Sequence, residues 1–147
     1  MQAKAGRSSR EPRIPVAYMD WKAEYSVENA LIDKQHKALF DLVNEVAEKV
    51  KSGNLPEVKS VINRLATYTV EHFKDEEAIM IKAGYANLED HEMIHAELLE
   101  KVQELQHKLA NNQAVSLVAV IRFLSDWLKE HILKDDMAYK AAIKKIS

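Results

Sequence analysis

The feature of this sequence that most limits its fold is the scarcity of residues that interrupt helices. The 147 residues include only three glycines and three prolines, and Pro56 is the last proline. Glycine and proline mark the turns of β-rich proteins, so this composition argues against a turn-rich β fold. Cysteine is absent from the sequence, which excludes a disulfide scaffold, cysteine-bound zinc and iron–sulfur clusters.

Three polar breaks divide the chain into long stretches that can form helices. Gly53 and Gly84 each follow such a stretch, and Asn111-Asn112-Gln113 forms the third break. Because the connections are only about three to five residues long, neighbouring helices must be antiparallel. We therefore predict an all-α fold, an up-down-up-down antiparallel four-helix bundle with an N-terminal extended arm and a short C-terminal helix or turn. The predicted helices span roughly 30–51, 56–83, 87–110 and 114–133, and residues 136–146 form the C-terminal element.

The first twenty residues differ in composition from the rest. Residues 1–15 contain four basic side chains against Glu11 and lack the apolar core of a secretory signal. We interpret residues 1–20 as a flexible arm and residues 21–147 as the bundle domain. A net charge of −2 gives no overall basic field for nucleic acid, and no apolar run approaches the roughly 18 residues of a membrane helix. We expect a cytoplasmic protein that binds neither nucleic acid nor membranes.

Five of the six histidines fall on apolar faces when each predicted helix is drawn at 100° per residue. His72 shares a face with Glu76, and His91 shares one with His95, because each pair is four residues apart. His107 is surrounded by polar side chains, so we expect it to face solvent. The five inward histidines, at least one on each helix, are His36, His72, His91, His95 and His131.

These inward polar residues indicate a metal centre. A single histidine on an apolar face is usually a core side chain with a hydrogen-bond partner, but five imidazoles and a carboxylate would all need partners in an aliphatic and aromatic core. An unpartnered buried polar group costs about 1–3 kcal/mol, whereas a metal satisfies them together. Imidazole and carboxylate without thiolate suit iron, zinc, copper or manganese. The inward imidazoles and carboxylates outnumber the four ligands that one tetrahedral zinc ion takes. They therefore favour a centre of two ions that share carboxylates.

Two shorter motifs suggest other metal chemistry. His91-Glu92-Met93-Ile94-His95 matches the H-E-x-x-H pattern of zinc peptidases, but a compact helical chain with almost no glycine lacks the cleft that a peptide needs. The Glu-x-x-His pattern of ferritin-like di-iron proteins occurs twice, ending at His95 and at His107. Both copies lie on one predicted helix, and the second uses the histidine expected in solvent. We therefore favour neither alternative.

The order and spacing of these residues resemble those of the hemerythrin family, in its bacterial single-domain form. The resemblance runs from Trp21 to about Tyr139 and includes the flanking aromatic residues. Its central motifs are Ile32-Asp33-Lys34-Gln35-His36, His72-Phe73-Lys74-Asp75-Glu76-Glu77, His91-x-x-x-His95 and Trp127-Leu128-Lys129-Glu130-His131-Ile132, followed by Asp136.

The resemblance implies a non-heme centre of two iron ions (Fe2+/Fe3+) with an oxo or hydroxo bridge. One ion would have three histidine ligands, and the other would have two and an open position for O2. The implied ligands are His91, His95 and His131 for the first ion, His36 and His72 for the second, and Glu76 and Asp136 as shared bridges.

The choice of Asp136 conflicts with simple helix geometry. Asp135 is four residues after His131 and shares its face on a straight helix, whereas Asp136 is about 140° away. The family pattern places the aspartate five residues after the histidine. That assignment requires the fourth helix to bend or end near Lys134.

The resemblance also implies reversible O2 binding for storage or delivery rather than catalysis. Binding of this kind needs an apolar pocket over the open iron, because water and protons must be kept away. By position we expect Leu39, Phe73 and Leu128 to line the pocket, with Trp127 and Tyr139 nearby. O2 is the partner implied, and the sequence does not identify a protein partner. The alternative is an oxygen- or redox-sensing module that signals to a partner or to a missing output domain; iron storage or peroxide turnover is a third possibility.

Overall fold

The computed structural model describes residues 19–146 and confirms the predicted helical bundle. Helix α1 spans Ala30–Lys51, α2 spans Leu55–Ala83, α3 spans Leu88–Ala110 and α4 spans Leu117–Glu130. A π-helical turn, His131–Asp136, follows α4 directly and leads through a 3-10 turn, Met137–Tyr139, to the short helix α5, Lys140–Lys144. No strand occurs among residues 19–146. Helix α1 packs against α2 and α4, and α2 also packs against α3.

The helices end close to the predicted breaks. Gly53 (φ 74°) and Gly84 (φ 65°) follow α1 and α2 in the left-handed conformation, which costs glycine little. Asn54 caps α2 by accepting a hydrogen bond from the backbone N–H of Glu57 at 3.1 Å. Asn87 occupies the N-cap position of α3, but its side chain makes no capping hydrogen bond.

The predicted arm, residues 1–20, lies outside the described residues except for Met19 and Asp20. Met19 is 6% exposed and packs in the core. Its backbone N–H donates to Asn44 Oδ1 at 2.6 Å, and Asn44 Nδ2 donates back to its carbonyl oxygen at 2.9 Å. The packed part of the chain therefore begins no later than Met19.

Within residues 19–146 the buried side chains form two apolar clusters with a polar layer between them. The large apolar cluster includes Phe40, Val43, Val46, Val58, Val61, Ile62, Leu65, Leu109, Ile121 and Leu124. The small apolar cluster consists of Val27, Ile32, Met80, Tyr139 and Ile143. Along α1, α2, α3 and the segment after α4, the positions between these clusters hold the histidine layer: His36, His72, Glu76, His91, His95, His131 and Asp136.

No helix within residues 19–146 combines the length and the apolar character that crossing a membrane requires.

Candidate metal centre

Helices α1 and α2 each place polar side chains on an otherwise apolar face. His36 follows Ile32 by one turn on α1, and His72 and Glu76 lie one turn apart on α2. Each of these three polar residues is at most 1% exposed. Glu76 Oε2 lies 3.3 Å from the Nε2 atoms of both His36 and His72. One oxygen of this carboxylate therefore faces two imidazoles from different helices.

Helix α3 presents its histidines to the other oxygen of the same carboxylate. His91 and His95, one turn apart on α3, are buried. Their Nε2 atoms lie 3.2 Å and 2.9 Å from Glu76 Oε1. Glu76 thus stands between two sets of rings, with one oxygen directed to each.

The π-helical turn decides which aspartate reaches the centre. Its wider i→i+5 spacing brings Asp136 onto the face of His131, and Asp136 is fully buried with Oδ1 3.1 Å from His131 Nε2. Asp135 lies behind the same ring, with Oδ2 3.0 Å from His131 Nδ1. The helix widens where we expected it to bend or end near Lys134, and this widening resolves the conflict with straight-helix geometry.

Asp136 repeats the arrangement of Glu76. Its Oδ1 lies 3.1 Å from His91 Nε2 as well as from His131, while its Oδ2 lies 3.0 Å from His36 Nε2. All seven predicted ligands therefore lie in one cluster, which divides into two groups that share both carboxylates. Within each group, one atom from each residue lies within 4.8 Å of the others. The three-histidine group contains His91, His95 and His131, the two-histidine group contains His36 and His72, and both include Glu76 and Asp136.

Several buried atoms of this cluster have no hydrogen-bond partner among the described residues. They include the Nε2 atoms of His72, His95 and His131, and both carboxylate oxygens of Asp136. Leaving such atoms unpartnered costs about 1–3 kcal/mol each, and metal ions would satisfy them all. The donor set is imidazole nitrogen and carboxylate oxygen without thiolate, which suits iron. The residues present fit a two-ion centre.

The buried carboxylates change the proton affinity of the rings. Burial lowers the pKa of His36 and of His91, but the adjacent carboxylates of Asp136 and Glu76 outweigh it and raise both values to about 9. For His131, burial is outweighed mainly by the charge of Asp136, and its pKa rises to about 10. Burial raises the pKa of Glu76, but contacts with the rings of His36, His72, His91 and His95 hold it well below its usual value. Without metal, the centre therefore binds protons that a metal would displace.

Polar side chains also support the cluster from outside. The His95 Nδ1–H donates to Glu77 Oε2 at 2.7 Å. Tyr139, fully buried, donates its hydroxyl to Glu76 Oε2 at 2.7 Å. Gln35 accepts from Nδ1 of His72 at 2.7 Å. We did not predict the role of Gln35, because it depends on the register of α1 against α2 across 37 positions of sequence.

Two of the predicted pocket residues contact ligand rings. Phe73 stacks on His95 with ring centroids 3.6 Å apart, and its centroid lies 5.8 Å from that of His72. It therefore borders both the three-histidine and the two-histidine group. Trp127, which is half-buried, stacks on His131 with ring centroids 5.3 Å apart. Leu39 and Leu128 are buried in the large apolar cluster. Their part in an O2 pocket stays a prediction.

Two residues of the motifs that suggested other chemistry, His107 and Glu92, lie outside both ligand groups. His107 is exposed on α3, as expected, and is bonded to Asn111. Glu92, the acid of the H-E-x-x-H motif, belongs to neither ligand group within residues 19–146. His91 and His95 instead share the carboxylates that α2 and the π-helical turn supply.

Comparisons with known proteins agree with this arrangement. A family model described as the Hemerythrin HHE cation binding domain matches residues 27–143. Bacteriohemerythrin of Methylococcus capsulatus is 37% identical over 125 residues, covering 84% of this chain and 95% of that protein. Myohemerythrin of Riftia pachyptila is 31% identical over 127 residues, covering 86% and 94%. A crystal structure of wild-type hemerythrin matches with a TM-score of 0.81 and 36% identity, covering 85% of this chain and 97% of that one.

Proposed function

Because the chain belongs to the hemerythrin family, we propose that it binds O2 reversibly at a non-heme di-iron centre and serves in oxygen storage or delivery. The observation that carries the proposal is the division of seven buried ligands into two groups that share Glu76 and Asp136. Two ions held this way are close neighbours, so they can act together on one small ligand.

The proposed ligands follow the two groups. The three-histidine group would hold one iron and the two-histidine group the other, and Glu76 and Asp136, which belong to both groups, would serve both ions. The two-histidine group supplies one imidazole fewer than the other group, which would leave a position for O2 on its ion. When bound, the iron pair with its oxo or hydroxo bridge supplies the two electrons of reversible O2 binding, one from each ion.

The surrounding side chains keep this chemistry reversible by excluding water. Phe73 and Trp127 cover ligand rings with aromatic surface, and Leu39 and Leu128 add buried aliphatic surface in the neighbouring cluster. Tyr139 holds Glu76 in place by donating its hydroxyl to Oε2. Because of this hydrogen bond, the two carboxylate oxygens of Glu76 stay oriented toward both ligand groups, as a two-ion centre requires.

The test is a visible spectrum recorded on iron-loaded, reduced protein as air is admitted and then removed. We expect about two iron ions per chain, a new absorption band in air and its disappearance on deoxygenation. His107→Ala should behave like the original chain, because that residue is exposed and outside both groups.

Three outcomes would reject oxygen carriage. The first is oxidation of the iron without a spectrally distinct oxygenated form, and the second is a centre that retains a single ion. The third is continuing consumption of O2 or peroxide, which would indicate turnover in place of carriage.

A further inference from the structure

The ring of His95 is held at both nitrogens by two neighbouring acids of α2. Glu76 lies 2.9 Å from Nε2 on the inner side, and Glu77 lies 2.7 Å from Nδ1 on the outer side. A carboxylate only accepts hydrogen bonds when ionised, so Nδ1 carries the proton that it donates to Glu77. Nε2, which faces the shared carboxylates, is then free to bind metal.

The ring of His131 is held in the same way by the two acids of the π-helical turn. Asp136 lies 3.1 Å from Nε2, and Asp135 lies 3.0 Å from Nδ1. The wide turn makes this possible, because it directs consecutive side chains to opposite sides of one imidazole. Two histidines of the three-histidine group therefore have a carboxylate in contact with the ring nitrogen that faces away from the cluster.

The two-histidine group lacks such charges in direct contact. His72 donates from Nδ1 to the amide oxygen of Gln35 at 2.7 Å. The amide nitrogen of Gln35 donates to Asp75 Oδ2 at 2.7 Å, which fixes the orientation of the amide and keeps the acid one residue away from the ring. His36 Nδ1 is buried without a hydrogen-bond partner among the described residues. The Nδ1 atoms of the two-histidine group therefore contact no carboxylate among the described residues, whereas those of His95 and His131 do.

We propose that Glu77 and Asp135 are positioning residues that make the two halves of the centre electrically unequal. A carboxylate behind a metal-bound imidazole fixes its tautomer and makes its other nitrogen a stronger donor. The ion of the three-histidine group is accordingly held more tightly and is harder to reduce than its neighbour. This inference rests on the proposed di-iron centre.

The experiment compares Glu77→Gln and Asp135→Asn with the original chain, all loaded with iron. Both substitutions keep the size of the side chain and remove its charge. We expect each to raise the reduction potential, measured by spectroelectrochemical titration, and to lower iron affinity about 10–100-fold, measured by competition with a chelator. Asp135→Glu, which keeps the charge, should retain a potential close to the original value.

Glu130→Gln is the matched control. It removes the same charge from an exposed position next to His131, and we expect potential and iron affinity to stay unchanged. Gln35→Leu supplies a second comparison, since it removes the bond to His72 without changing charge. It should weaken iron retention and shift the potential less than either acid variant does.

Unchanged potentials in both amide variants, or an equal shift in Glu130→Gln, would overturn the inference. Glu77 and Asp135 lie on different elements, so either variant alone decides the result if the other does not fold, as judged by circular dichroism. Shifted potentials in a protein that never forms a reversible O2 complex would reject the proposed function and leave this inference standing.

Discussion

The large apolar cluster and the histidine layer are both buried, yet the first stabilises the folded chain and the second costs folding free energy. The apolar cluster stabilises the bundle by removing aliphatic and aromatic surface from water, by about 25 cal/mol per Å². The histidine layer places two carboxylates and five imidazoles in the same core, where unpartnered polar atoms cost free energy. The comparison teaches that the apolar clusters on either side stabilise the bundle around a layer that supplies the candidate metal ligands. Mutations in the two regions should therefore separate stability from metal binding.

The largest expected effect is loss of iron on truncation within the histidine layer. Glu76→Ala removes the carboxylate shared by both groups, and His72→Ala removes one of the two imidazoles of the two-histidine group. We expect Glu76→Ala to lose essentially all iron and His72→Ala to lose at least the second ion, while both retain helical structure. Elemental analysis with circular dichroism checks this. Full iron content in either variant would contradict the ligand assignment.

A substitution in the apolar cluster should have the reverse effect. Ile62 is 1% exposed in the large apolar cluster, ten residues before His72 on α2, which is about 15 Å along the helix. Ile62→Ala should lower the free energy of unfolding by about 2–5 kcal/mol through lost burial and a cavity. Iron per folded chain should be unchanged. Denaturant unfolding and metal analysis test the separation, which fails if iron is lost in proportion to stability.

Removal of iron should destabilise the original chain without unfolding it. Metal binds the folded centre, so a free concentration 100 times the dissociation constant adds about 2.7 kcal/mol to the free energy of unfolding. We expect chelation to lower the melting temperature, and Glu76→Ala to show no further drop. A chain that unfolds completely on chelation would show that the apolar clusters are insufficient to hold the bundle.

A smaller effect is expected from pH on the metal-free chain. The folded-state pKa values of His36 and His91 (about 9) and of His131 (about 10) exceed the unfolded value of about 6.5. Their stabilisation is therefore fully present below about pH 6.5 and is lost as pH rises through 9 to 10. The metal-free chain should lose more stability between pH 7 and pH 10 than the iron-loaded chain, whose rings bind metal instead of protons. Equal losses in denaturant midpoint would contradict this.

The smallest effect is expected at the histidine outside the layer. His107→Ala removes an exposed ring that contacts Asn111, so stability should change by no more than about 0.5 kcal/mol and iron content should stay at the original value. Metal analysis beside the Glu76→Ala sample gives the contrast. Iron loss in His107→Ala would show that metal is bound outside the histidine layer.

The sequence predicted the bundle well because its breaks are few and unambiguous. Gly53 and Gly84 end helices within a residue or two of the predicted bounds, since a left-handed residue there stops an α-helix physically. The inward histidines followed from the 3.6-residue period. That period failed after Glu130, because it assumes one helical spacing, and both Asp135 and Asp136 are acids of suitable chemistry.

The supporting contacts were harder to predict because they depend on how helices pack against each other. Gln35 reaches His72 on α2, and Glu77 reaches His95 on α3. Their spacing along the chain carries no sign of these contacts. The π-helical turn, in contrast, was signalled by a conflict, since the family resemblance and straight-helix geometry chose different aspartates. Such a conflict between two sequence arguments can point to irregular structure.

The π-helical turn absorbs one residue while the side chains beyond it still reach the cluster. Asp136 and Tyr139 are five and eight residues after His131, but they meet the same cluster that positions four and seven residues later would meet on a straight helix. A chain from which Lys134 is deleted would carry both side chains on an uninterrupted α-helix. It would lose the contact between the Asp135 carboxylate and Nδ1 of His131. Deletion or insertion of a single residue, rather than a substitution, is therefore a route by which a bundle of this kind could change the affinity and the reduction potential of its iron.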